Sequence, residues 1–137
     1  MVDFAQVAIA VGGVLMLCLA VFHSAFHRLF NWRDDFSKLS VVNVRIVFAI
    51  HIALALVFAI FGVLTLAYSA EISRAEGLAR AYAFAWAVFW GWRAVWQIVG
   101  FKPPPASAPL SRRLMYWILL VVLVMLALCF LFPLFNM

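Results

Sequence analysis

Four long stretches of the chain carry almost no charge, and this pattern does most to decide what it can fold into. Between Asp3 and Arg28 lie 24 uncharged residues, and between Arg45 and Glu71 lie 25. From Ala81 to Phe101 there are 21 with Arg93 as the single charge, and 24 more follow Arg113. About 20 predominantly apolar residues in a helix cross a bilayer core. The hydrocarbon offers main-chain groups no hydrogen-bond partner, so a spanning segment is a helix or a closed barrel strand. Barrel strands alternate apolar and polar residues, and these runs do not. The pattern predicts an all-α protein, a four-helix transmembrane bundle with short loops, forming a single membrane domain over 1–137. The helices are expected near 5–30, 41–69, 79–101 and 112–133.

Composition excludes the ordinary alternatives. Of the 137 residues, 69% are hydrophobic and only 11% charged. A soluble domain carries about 25% charged residues, and a disordered chain is poor in apolar residues. The first run is too long for a signal-peptide core, and Asp3 stands where a basic start is usual. It is therefore expected to be a helix of the mature protein.

Orientation follows from the loops. Arg28, Arg33 and Lys38 fall in loop 1–2, beside Asp34 and Asp35, while Lys102, Arg112 and Arg113 fall in loop 3–4 with no acid. Loop 2–3 balances Arg74 and Arg80 against Glu71 and Glu76. Lys and Arg collect on the cytoplasmic side. Loops 1–2 and 3–4 are thus expected in the cytoplasm, with both termini on the non-cytoplasmic side. The net charge of +5 reads as a topology signal and an attraction to anionic lipid, not as a nucleic-acid footprint. Ser40 is the expected N-cap of helix 2. Asp34, Asp35 and Arg45 are expected to form a charge cluster behind Trp32, which anchors the loop at headgroup level. Glu71, Arg74, Glu76 and Arg80 suggest a short amphipathic turn.

The informative residues are the polar ones inside the apolar runs. Counting about 1.5 Å per residue from the cytoplasmic helix ends puts His27 at ~5 Å, Gln97 at ~6 Å, His23 at ~10 Å, Arg93 at ~12 Å and His51 at ~15 Å. Embedded ionisable residues mark functional sites by default. His23 and His27 share one helical face with Ala5, Ile9, Gly12, Met16 and Ala20; His51 shares its face with Ala55, Phe58, Gly62, Thr65 and Ser69. Stripes with many small residues face neighbouring helices, so the three histidines are expected to converge. As ligands they suit a transition metal, or haem b held by one histidine from each helix. The alternative is that they bond main-chain carbonyls or each other.

Helix 3 carries the second candidate site. Tyr82, Trp86, Phe89, Trp90, Arg93, Trp96 and Gln97 share a broad face opposite Ala83, Ala87, Gly91 and Ala94. Trp86, Trp90, Arg93 and Gln97 form the proposed ligand-binding set, an aromatic wall with two polar anchors for a quinone, a lipid or a macrocycle. In the other reading the small face packs, the aromatic face meets lipid, and Arg93 snorkels to the headgroups. A protein partner docking on this face fits both.

No nucleotide loop, zinc-protease motif or CxxC pair is present, and Cys18 and Cys129 are isolated. Catalysis is not expected. The first expectation is an accessory or assembly subunit, or a binder of a lipid-like molecule or partner through helix 3. A haem- or metal-binding redox protein and a small oligomeric transporter or channel are the alternatives. Self-association is expected.

The run Trp32-Arg33-x-Asp35 followed by Leu39-Ser40, with Phe89-Trp90-x-x-Arg93-x-x-x-Gln97 further on, resembles uncharacterised small four-helix bacterial membrane proteins. The resemblance covers helices 1 to 3. It implies a bacterial inner-membrane setting and no activity.

Overall fold

A computed structural model describes residues 3–29, 32 and 36–135, with the backbone alone at His27. Arg33, Asp34 and Asp35, and with them the expected acidic part of the loop 1–2 charge cluster, lie outside the described residues. The chain is all-helical: α1 Phe4–Leu29, α2 Val41–Ala67, α3 Ser69–Ser73, α4 Gly77–Val99 and α5 Leu110–Phe135. No strand forms among the described residues.

Three helical segments are long and apolar enough to cross a membrane: Phe4–Phe26, Val41–Ala67 and Leu110–Phe135. These mark the chain as an integral membrane protein. The outward surface agrees, since α2 exposes Ile46, Ile50, Ile52, Leu56, Ile60 and Val63, a patch that water would not tolerate. At 23 residues, α4 has the length to span but is not among the apolar segments. Arg80, Arg93, Gln97 and the polar rims of Tyr82 and its indoles dilute it.

The helix ends differ from expectation in one instructive place. The second helix does not run to residue 69. It stops at Ala67, and Tyr68 leaves helical geometry at φ −111° and ψ 25° before the five-residue α3. Ala75 and Gly77 then take left-handed backbone, at φ 50° and 49°, and reverse the chain into α4. Glycine adopts that conformation without strain; the alanine does not. Ser40 caps α2 as expected, its Oγ accepting from the Asn43 amide at 3.3 Å. Asp3 does the same for α1, its Oδ1 accepting from Ala5 at 2.9 Å and Gln6 at 3.2 Å.

The chain divides into two compact units, one of residues 1–12 and 68–137 and the other of residues 13–67. In the first, α4 and α5 form an antiparallel hairpin. Ala83, Ala87, Trp90, Ala94 and Gln97 make the buried stripe of α4. On α5 the buried set includes Tyr116, Leu123, Leu126, Phe130 and Pro133. Both stripes advance by steps of three and four residues, or by their sum, which is the seam spacing of helices packed knobs-into-holes. The Phe130 ring meets Tyr82 at 6.3 Å and Trp86 at 6.2 Å. A Cβ on Gly12 would stand 3.2 Å from the same ring, so the first turns of α1 pack here too. Ser73 Oγ donates to Asp3 Oδ2 at 3.4 Å.

In the second unit, α1 from Gly13 onward and α2 also run antiparallel. Small residues set their approach. A Cβ on Gly13 would lie 2.9 Å from Leu66 Cγ and 3.1 Å from the Gly62 carbonyl oxygen; one on Gly62 would lie 2.9 Å from Leu17 Cδ2. The buried residues of α2 are His51, Phe58, Gly62 and Thr65, which is the inward stripe expected from helical phase.

Candidate functional sites

The second unit brings two of the three histidines together. His23 and His51 stack with centroids 5.2 Å apart and planes 20° off parallel. Each ring has a defined main-chain partner. The His23 Nδ1–H donates to the Leu19 carbonyl at 3.2 Å, and the His51 Nε2–H donates to the His23 carbonyl. A carbonyl only accepts, so each bond fixes which ring nitrogen carries the proton. The pair sits in an aromatic cage. Phe26 stacks on His23 at 4.5 Å and on His51 at 5.2 Å. Phe58 meets His23 edge-on at 5.1 Å, and Trp32 meets His51 at 4.8 Å. The side chain of His27 lies outside the described residues. Among the described residues no three His, Cys, Asp or Glu side chains cluster at metal-holding distance.

The cage explains how imidazoles persist in an apolar helix pair. Each donates one hydrogen bond, which removes most of the cost of burying a polar ring. Sequence reasoning names the histidines, puts Phe58 on the His51 face and reads Trp32 as a headgroup-level anchor, but leaves out Phe26 and the cage the three rings form. Phe26 and Phe58 stand one and two turns from a histidine on the same faces, which was the available signal.

The first unit holds Arg93, Gln97, Trp86 and Trp90, but not on one open wall. Trp90 is 1% exposed and Gln97 4%, so both belong to the stripe that also buries Ala83, Ala87 and Ala94. Gln97 therefore supports the site from behind. Arg93 is half-buried, and its Nη1 donates to Gln97 Oε1 at 3.3 Å. Its guanidinium lies over the Phe101 ring, 5.3 Å from the centroid. The arginine thus points along α4 toward its C-terminal end, against the usual lean of helical side chains toward the N-terminus. Among the described residues no carboxylate pairs with it.

The open face belongs to Trp96, which the sequence puts on the aromatic side, and to Trp92, which it does not. Trp92 is 56% and Trp96 49% exposed, and their rings stack at 6.1 Å and 20°. Trp86 bridges inward, stacking on Trp90 at 5.7 Å. Trp90 and Gln97 each stand three residues after an alanine of the buried stripe, the spacing of a single helical face, so the phase of α4 itself puts them with Ala83, Ala87 and Ala94 rather than opposite them. The α5 partner is Tyr116, buried, whose hydroxyl donates to the Gln97 carbonyl at 3.1 Å.

Comparison with protein families, curated proteins and solved structures finds no match to this chain.

Proposed function

We propose that the chain is a non-catalytic membrane protein that binds a lipid-like molecule through α4, working as an accessory subunit. In this reading α4 is the fourth span of a transmembrane bundle. Loops 1–2 and 3–4 face the cytoplasm, both termini face away from it, and the setting is a bacterial inner membrane. The observation that carries it is the exposed, stacked pair Trp92 and Trp96 beside a half-buried Arg93 held by Gln97 and Phe101. Indole faces with an adjoining cation suit an amphipathic ligand with an apolar body and a polar head. Arg93 keeps N–H donors beyond the one given to Gln97, since a guanidinium has five.

The test is extraction of bound lipids and quinones from the full chain purified in mild detergent, beside a Trp92→Ala/Trp96→Ala variant. The reading expects a retained amphiphile in the parent and loss in the variant. Equal retention in both, or none in either, counts against it.

The His23–His51 pairing supports a second reading, a metal or haem site completed by His27. An absorption spectrum with metal analysis tests this: a Soret band or stoichiometric metal, lost in His51→Ala, is expected if it holds.

A further inference from the structure

Between Ala81 and Met137 the chain carries Arg93, Lys102, Arg112 and Arg113 and not one Asp or Glu. The fold gathers these cations at one end of the α4–α5 hairpin. Tyr116 is tied to the Gln97 carbonyl at 3.1 Å, which sets the first turns of α5 beside the last turns of α4. Arg93 stands one turn before Gln97 and reaches toward it and Phe101. Arg112 and Arg113 stand one turn before Tyr116. The connection folds back on α5 through Arg113 Nη1, which donates to the Ala106 carbonyl at 3.5 Å. Lys102, Arg112 and Arg113 are exposed.

We infer that this end of the hairpin seats the phosphate of an anionic phospholipid, with Arg93 as the inner donor and Lys102, Arg112 and Arg113 as the outer cations. The inference rests on the lipid-binding reading of α4 and names the headgroup. The argument is charge complementarity at a fixed depth. A half-buried guanidinium with one amide partner and no carboxylate retains donors in the fork geometry that matches phosphate. Its turn toward residues 97 and 101 brings it to the level of the helix end, where headgroup phosphates lie. Trp96 and Phe101 flank it with exposed apolar surface for the acyl chains. Each basic residue near an anionic surface contributes about 1 kcal/mol, or about fivefold in affinity.

The experiment uses the full chain in phosphatidylcholine nanodiscs, with brominated phosphatidylglycerol or brominated phosphatidylcholine as quencher of tryptophan fluorescence. The expected result is preferential quenching by the anionic lipid. Arg93→Gln should reduce that preference about fivefold. Lys102→Gln/Arg112→Gln, which alters only exposed side chains, should reduce it too, and Arg45→Gln should not. Quenching by both lipids alike, or a preference unchanged in Arg93→Gln and in the exposed pair, overturns the inference while the broader lipid-binding reading survives. Absence of any lipid from the purified chain removes both. Displacement of the anionic lipid by inorganic phosphate would assign the site to a free anion and overturn the inference as well.

Discussion

Tyr116 and Gln97 are joined by a buried hydrogen bond from the phenol to the main-chain carbonyl, at 3.1 Å. Gln97 lies in the last turn of α4, where carbonyls have no amide four residues on to meet. The hydroxyl therefore does for a helix C-terminus what a capping side chain does for an N-terminus. It also fixes the register of α4 against α5, and with it the position of Arg93 relative to the basic start of α5.

Tyr116→Phe removes the donor and leaves the ring. An unsatisfied buried acceptor costs about 1–3 kcal/mol in water-soluble folds, and hydrogen bonds within membranes average about 0.6 kcal/mol. The expected loss is about 1 kcal/mol between those limits, read as a lowered melting temperature in detergent. Amide exchange should accelerate at Gly100, whose N–H bonds Trp96 O at 2.8 Å. An unchanged melting temperature and exchange profile would show that the last turn of α4 holds without the phenol.

Two glycines should respond in opposite directions. Gly13→Val places a branched side chain where even a Cβ would lie 2.9 Å from Leu66 and 3.1 Å from the Gly62 carbonyl. Forcing these helices apart is expected to destabilise by about 1–3 kcal/mol. Gly91 has nothing within 4 Å of the added carbon. Gly91→Ala should be neutral or stabilise by up to about 1 kcal/mol through helix propensity. Paired melting curves in one detergent check both signs, and a Gly13→Val chain as stable as the parent would refute the close approach.

Asp3 offers a local test at the start of α1. Asp3→Ala removes the acceptor for the Ala5 and Gln6 amides, at an expected cost of about 1 kcal/mol. Asp3→Asn keeps an acceptor oxygen and should stay close to the parent. Hydrogen exchange at Ala5 and Gln6 distinguishes the two variants, and equal protection in both would remove the cap from the account.

Much of the architecture was legible because it rests on gross physics. Long uncharged runs predict four spans, of which three are long and apolar enough to cross a membrane, and the stripe through His51, Phe58, Gly62 and Thr65 follows from helical phase. Ser40 was readable as a cap because its side chain competes for local amides. The break at Tyr68 was not readable, since no glycine or proline marks it and the apolar run continues to Ala70. Asp3 counts in the sequence only as an acid where a signal peptide has a basic start, yet it also stands where an N-cap is favoured. On α4 the alanine face was identified, yet Trp90 and Gln97 went to the wrong side. The helical period contains the right answer, since Trp90 and Gln97 fall in phase with Ala83, Ala87 and Ala94; grouping the aromatic and polar residues by chemistry instead of by phase hides it.

The histidine pair provides the sharpest separation of structure from ligation. His51→Phe retains an aromatic ring between His23, Phe26 and Trp32 but loses the Nε2–H donated to the His23 carbonyl. That carbonyl stays within α1, where the amide of residue 27 is its helical partner by position, so losing a second donor should cost under about 1 kcal/mol. His51→Ala also empties the cage, and large-to-small truncation at a packed site costs about 2–5 kcal/mol. The expected order of stability is parent, then His51→Phe, then His51→Ala, with the larger step at the second substitution. A metal or haem held by the pair would reverse the weighting. Loss of the ligating nitrogen would then make His51→Phe nearly as damaging as His51→Ala, and where the ligand is a metal ion held by side chains alone, added chelator would lower the melting temperature of the parent alone. Melting curves of the three chains, with and without chelator, decide between a stack held by carbonyls and one held by an ion.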